Sequence, residues 1–473
     1  MAIINTRSPH YISVAIADLG VATLTIEVYT GDKSTGFTGV PQYNLSKQVI
    51  GSTAKISFEV SELIRDYLDV SFDGDYETTA EGSSKWVRTV LTAVDGNGVQ
   101  LSQTISTDLA FNSYGYFEEG ANYSFDNKSL LMSQKDIKVT PLGDYRIPIY
   151  TENNPTILFL DSAGATQRTE SYTTSTQSNG QIESVELFPE LCRNGNFTTD
   201  TAWTKETADW KINNGASFLN SSDLAIDRLF QSSAGLTAGV NITSEFTVTN
   251  FSGTGTARMR YPFRIPITRN GFYRASGVGE FVASERIQFE AQATDLTTPL
   301  TFSIDNVSVK ETVDVSSIRV TDDNAINVIS VSEDCESKFR PYKVTFANKF
   351  GVLQDLYFFQ RSKENMSTKR QSYSSNTLNS SNTYSISDHT KRDFNITASE
   401  TISLSSGFVP ESYNDVFKQL MLSETVWLNN EHNQVLPINI KTSSISYKTQ
   451  VNDKLIEYTI NFENSYNVLN DIR

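Results

Sequence analysis

The groups able to do chemistry are few and scattered. His10, His389 and His432 are the only histidines, each in a polar or turn-like stretch far from the others. A nucleophilic triad needs a base held by an acid beside an activated Ser or Cys. The chain has no G-x-S-x-G elbow, and neither Cys192 nor Cys335 lies in a nucleophile context, so the histidines read as surface residues. Two carboxylates at a set separation would suffice for glycoside hydrolysis, but that separation is spatial. The densest acidic run, Asp73-Gly74-Asp75-Tyr76-Glu77, could offer acids or calcium ligands, yet it lacks a full EF-hand loop and reads first as a solvated turn. No Walker-type G-x-x-x-x-G-K and no strand-linked G-x-G-x-x-G occurs.

The one patterned cluster is ARMRYPFRIPI. Met259, Tyr261, Phe263, Ile265 and Ile267 alternate with Arg258, Arg260, Pro262, Arg264 and Pro266. On a single strand this puts three arginines on one face. Such a face could fork-bind carboxylates or phosphates of an acidic glycan, pair with acidic patches on a neighbouring subunit, or face water.

These residues need strands to position them, and the chain is written in strands. Alternating segments fall at 10–17, 22–29, 55–60, 86–94 and 99–107, with Asp95-Gly96-Asn97-Gly98 as a tight hairpin. VSELIRDYL places Val60, Leu63, Ile64, Tyr67 and Leu68 on one helical face. Short Pro- and Gly-broken strands follow to 187, the texture changes near 188, and strand style resumes near 313. The simplest account is one domain inserted into a loop of another. Later come a Ser/Thr/Asn-rich tract at 372–390, expected as an exposed loop or hairpin, and strands near 393–404. Pro410 announces a helix bearing Tyr413, Val416, Phe417, Leu420 and Met421, and the strands SSISYKTQ and KLIEYTINFE end the chain. The expected fold is all-β: several antiparallel β-sandwich domains with a few short helices. The expected domains are an Ig-like sandwich at 1–110, a discontinuous domain at 111–187 plus 313–365, an inserted sandwich at 188–312, and a C-terminal β domain with one helix at 366–473.

Bulk properties narrow the function. The 473 residues carry a net charge of −16, which disfavours nucleic acid as a ligand. Residues 190–311 hold eleven Lys and Arg against thirteen Asp and Glu, a net −2, so the remainder carries about −14. The N-terminus shows no basic region followed by an apolar run, and no segment approaches a membrane span of about 20 apolar residues.

The inserted segment opens with N-G-N-F at 194–197, continues through Trp203 and DWKINNG at 209–215, and closes with FSIDNVSVKE at 302–311. It resembles the carbohydrate-binding jelly-roll repeats of phage virion proteins and bacterial secreted glycan-binding modules. The resemblance covers about a quarter of the chain and implies a two-sheet sandwich whose first and last strands pair. Sugar would be held by aromatic stacking and polar groups. It implies that Trp210 packs inward and that Trp203 contacts ligand, with Arg258, Arg260, Arg264 and Tyr273 completing the carbohydrate site. It also points to Asp305 as ligand of a structural calcium, although Thr198 stands where relatives carry an acid.

The flanks SPHYISV, TLTIEVYTG, FEVSELIRDYLDVSFDGDY, FRPYKVTFANKFGVLQDLYFF and SYNDVFKQLMLSETVWL are similar to structural proteins of tailed phages infecting Bacteroidetes-type bacteria. This resemblance implies a non-enzymatic virion component, in the tail or tail tip, with an inserted module for host-surface glycan. It would be made in the host cytoplasm without a signal peptide and located in the virion. Its partners would be other virion proteins, further copies of itself and the glycan, with no nucleic acid, no membrane insertion and no cofactor beyond that calcium. The alternatives are a tailspike-like polysaccharide depolymerase, and a capsid or neck protein whose jelly roll serves assembly alone.

Overall fold

Alternating apolar and polar residues lie in strands wherever a turn signal bounds them. In the computed structural model the described residues are 3–29, 37–50, 54–76, 82–125, 128–172, 182–220, 224–232, 240–280, 286–312, 314–322, 325–334, 338–376, 378, 380–430, 434–447 and 456–469. They form an all-β protein of seven sheets with a few short helices. Cys335, His432, Glu77 and parts of SSISYKTQ and KLIEYTINFE lie outside the described residues.

The first group of strands pairs in the order Ile3–Asn5, Gln100–Phe111, Ser84–Val94, Val21–Tyr29, Tyr43–Gln48, and a two-stranded sheet joins Tyr11–Ala15 to Lys55–Glu59. Leu24, Ile26, Val87, Ile56 and Phe58 meet between the two sheets. The Asp95–Gly98 turn forms because the Asp95 carboxylate accepts the Asn97 and Val99 N–H groups, both at 2.8 Å, while Gly98 takes φ 86°. The helix is shorter than its sequence pattern: only Ser61–Arg65 is helical, Val60 and Ile64 are buried, and Tyr67 is exposed.

A second sheet runs Thr166–Ser171, Thr156–Leu160, Ser317–Thr321, Ile326–Glu333, Asp136–Val139, so Thr156–Leu160 pairs with a strand from beyond residue 312. The segment between contributes two five-stranded sheets whose inward side chains, among them Trp210, Phe246, Met259, Phe289 and Phe302, form one core. The last sheet has seven strands: Leu353–Phe358, Tyr342–Ala347, Val426–Asn429, Val435–Ile440, Ile456–Asn464, Lys391–Val409, Lys363–Ser374. The helix Tyr413–Met421 packs Tyr413, Val416, Phe417 and Leu420 against it.

Tyr342–Ala347 and Leu353–Phe358 lie in this seven-stranded sheet, whereas sequence texture grouped them with the strands before residue 335. All six residues of Tyr342–Ala347 are buried, so no polar face marks which sheet they join. Their turn is wedged under the first group of strands. Gly351 takes φ 74°, and a Cβ there would lie 2.6 Å from the Asn112 backbone.

Three groups of strands meet at Asp355, which is wholly buried. Its Oδ1 accepts the Tyr76 hydroxyl and the Thr345 hydroxyl, both at 2.7 Å, and its Oδ2 accepts the Arg146 N–H at 3.0 Å. Lys343, also buried, donates to Asp144 and lies 3.4 Å from the Tyr76 hydroxyl. Burial pushes the Asp355 carboxyl above the usual range although Lys343 pulls the other way, and burial drives the Tyr76 phenol well up. The described part of the acidic run, Asp73 to Tyr76, is thus a turn, with Gly74 at φ 114° and Asp73 accepting the Asp75 N–H at 3.1 Å, that delivers Tyr76 to this junction.

Removing the Asp355 carboxylate leaves the Tyr76 and Thr345 hydroxyls and the Arg146 N–H without their acceptor. Asp355→Ala is expected to cost about 3–5 kcal/mol in urea unfolding. Asp355→Asn, which keeps an acceptor at Oδ1, is expected to cost less than half of that, and equal losses would show that the charge rather than the Oδ1 acceptor carries the junction.

Candidate binding face

The opening of the inserted segment is a folding device. Gly195 lies against the last strand so closely that a Cβ would sit 1.8 Å from the Val307 carbonyl oxygen, and the Val307 N–H donates to the Gly195 carbonyl at 2.9 Å. The Asn194 side-chain amide donates to the Thr199 and Thr201 carbonyls at 2.7 and 3.1 Å, and its carbonyl accepts the Thr198 N–H at 3.1 Å. Glu190 bonds Ser308 at 2.6 Å and the Val309 N–H at 2.7 Å, so the two ends of the segment run side by side.

Trp203 is part of this device. It is only 6% exposed, its indole N–H donates to the Asn194 carbonyl at 3.1 Å, and its ring packs 5.0 Å from Phe197 and 6.2 Å from Phe289. A ring so enclosed offers no face to a sugar, which corrects the expectation that Trp203 contacts ligand. Trp210 packs inward, 4.9 Å from Phe218 and 5.7 Å from Phe302.

The arginine segment is a hairpin rather than one strand. Gly255–Tyr261 turns back through a cis Tyr261-Pro262 bond into Ile265–Ile267, with Met259 opposite Ile265 and Arg258 opposite Pro266. Arg264 is therefore in the connection. A bulge between Met259 and Tyr261 shifts the register against Arg286–Ala293, so that Met259 pairs with Phe289 but Tyr261 pairs with Gln288. Cross-strand partners share a face, so the bulge turns Tyr261 outward, where strict alternation would have put it in the core.

That outer face carries two rows. In one, Glu290 lies between Arg228 and Arg258. Its Oε2 accepts Arg258 Nε and Nη2 at 2.9 and 2.7 Å, and Arg228 Nε lies 3.5 Å from Oε1. Arg228 also reaches Glu206 at 3.0 Å. In the other row Gln288 lies between Phe230 and Tyr261. Gln288 donates its amide to Glu290 at 2.6 Å, which turns its carbonyl oxygen toward the aromatic row, where it has no partner although the residue is 1% exposed. The Arg260 guanidinium lies 4.5 Å over Tyr261, and that of Arg286 lies 5.2 Å over Phe230 and 5.9 Å over Tyr261. Arg286 Nε is buried without a hydrogen-bond partner, and Arg260 Nη1, likewise without one, has Glu280 at 3.8 Å. Arg264 pairs with Glu280 at 3.0 Å.

The expected site residues are thus not gathered into one place. Arg258 and Arg260 share the outer face. Tyr273 belongs to the opposite sheet, stacked 5.1 Å from Phe246, with its hydroxyl donating to the Arg269 carbonyl at 2.7 Å. Asp305 is on that opposite sheet too and accepts the N–H of its neighbour Asn306 at 2.8 Å. Burial raises its carboxyl, and no group of three or more potential metal ligands occurs among the described residues. Gln288, Glu290, Arg286 and Phe230 were not singled out from sequence, although the alternation of RIQFEAQA at 286–293 carries their orientation.

Of the remaining chemistry-bearing residues, His389 is exposed, but His10 is half-buried with an unpartnered Nδ1, and burial lowers its pKa. Cys192 is buried, and burial drives its thiol far up. No helix among the described residues is long and apolar enough to cross a membrane.

No family model matches the chain, and no curated protein matches it. Among solved structures, a secreted serine protease, VesC, from Vibrio cholerae aligns over 63% of this chain and 77% of its own, at 9% identity and a TM-score of 0.19. An E. coli alpha-2-macroglobulin in its native conformation aligns over 98% of this chain and 30% of its own, at 9% identity and a TM-score of 0.17. A Salmonella alpha-2-macroglobulin mutant aligns over 94% and 36%, at 6% identity and a TM-score of 0.10. Overlaps this loose carry no inference about fold or activity.

Because Trp203 fills the core, Trp203→Ala is expected to destabilise the inserted unit by about 3–5 kcal/mol in chemical denaturation. Trp203→Phe should lose clearly less, and a Trp203→Ala protein as stable as the parent would contradict this placement.

Proposed function

We propose that the chain is a non-enzymatic structural component of a tailed-phage virion, in the tail or tail tip, whose 188–312 unit is a jelly roll that holds a host-surface glycan. The virion station rests on the similarity of the flanking sequences to tailed-phage structural proteins. One observation carries the glycan reading: the outer-face row in which Phe230 and Tyr261 flank Gln288 and are overlaid by the Arg286 and Arg260 guanidinium groups.

A sugar meets the requirements of this row. The exposed parts of the Arg260 and Arg286 guanidinium groups donate to hydroxyl or ring oxygens, and C–H groups pack on the edges of Phe230 and Tyr261. Glu290 and Glu280 already occupy much of the guanidinium surface, which favours a neutral or mildly acidic sugar over a polyanion. Glu290 acts as a positioning residue because it fixes the direction of the Gln288 amide. Weak binding at each copy is multiplied when many copies share one particle.

The sites to change are therefore on the outer face, and Trp203 is not among them. In a glycan array with the full chain, the double change Arg260→Ala/Arg286→Ala is expected to abolish retention while shifting stability by no more than about 2 kcal/mol. Deleting 190–311 should leave particles assembled but reduce adsorption. Failure to assemble would make the unit an assembly element, and new reducing ends on host polysaccharide would make the chain a depolymerase.

A further inference from the structure

The strand Lys363–Ser374 is exposed along its whole length, and from Met366↔Glu400 to Ser374↔Lys391 its only sheet neighbour is Lys391–Val409. These nine residues reach roughly 30 Å at about 3.3 Å per residue. Apolar side chains stand out along this arm and its tip: Met366 is 63% exposed, Tyr384 66% and Ile386 98%, with Tyr373, Leu378 and Phe394 exposed beside them. A two-stranded hairpin without a covered face is marginal in water. The outer backbone edge of Lys363–Ser374 is an open template for another surface.

Charge indicates what covers it. Residues 361–398 contain six Lys and Arg against three Asp and Glu, a net +3, which leaves −19 for the rest of the chain. The body also holds a groove of about 650 Å³ where the Ser61–Arg65 helix meets the segment around Glu424. Its rim carries Glu62, Asp66, Asp69 and Glu424 with Arg65 as the lining cation, Arg7 also reaches Glu424 at 3.4 Å, and Leu63 and Leu68 line it. Arg65 is bound to Glu424 at 2.7 Å.

We propose that the 361–398 arm of one copy docks into the acidic groove of a second copy of this chain. The arm brings basic and apolar side chains to a groove of opposite charge with an apolar lining. Arm and groove are different surfaces, so the contact is head-to-tail and propagates into a closed ring or an open filament. This deepens the multi-copy assembly part of the proposed function and is independent of the glycan.

Sedimentation velocity on the full chain tests it. The parent should self-associate, less so as salt rises. The arm variant Lys369→Glu/Arg370→Glu/Lys391→Glu/Arg392→Glu and the groove variant Glu62→Lys/Asp66→Lys/Asp69→Lys should each weaken association by about a hundredfold. An equimolar mixture of the two should re-associate. A parent that stays monomeric would assign the arm to a different protein and overturn the proposal, as would a reversal without effect or a mixture that fails to pair. Glycan retention measured on the parent separates the two proposals, because a parent that associates but retains no glycan counts against the glycan alone.

Discussion

A single carboxylate holds the strand groups in register. Asp355 is cut off from water, and its hydrogen bonds come from Tyr76 in the first group, Arg146 in the second and Thr345 in the seven-stranded sheet. Each group has its own apolar core, and apolar burial is not directional, so it would tolerate many relative placements. A buried carboxylate is specific because its acceptor sites must be met at fixed positions. Phe72, Leu353 and Trp427 pack around the same point and exclude the water that would otherwise weaken it.

The binding face depends on an analogous polar constraint within one unit. Glu290 accepts from Arg258 and from Gln288, so one carboxylate both neutralises the arginine row and orients the glutamine. The bulge before Tyr261 does the remaining work by moving an aromatic ring across the sheet. Together they turn a strand face that reads as cationic in sequence into a charge-compensated one.

Legibility followed the range of the deciding interaction. The Asp95–Gly98 turn and the Tyr413–Met421 helix are set by neighbours within a few residues, and both stand where the sequence placed them. Trp210 packing inward was legible because Lys211 and Ile212 fix the phase of its strand. Trp203 was not, because its burial comes from Phe289, distant in sequence, and from the loop that Asn194 organises. The face of Tyr261 is not legible because alternation assumes an uninterrupted ladder, and the sheet that Tyr342–Ala347 joins is not legible because a strand covered on both faces shows no alternation.

The closure of the inserted segment on itself has a further consequence. Glu190 bridges to Lys310, and Leu191 donates to the Val309 carbonyl at 2.8 Å, so the chain leaves and re-enters at nearly the same point. Thr156–Leu160 and Ser317–Thr321 can then pair without registering what lies between them. The sheet that holds these two strands is in effect a socket, whose pairing is set by the strands themselves and not by the length of chain between them.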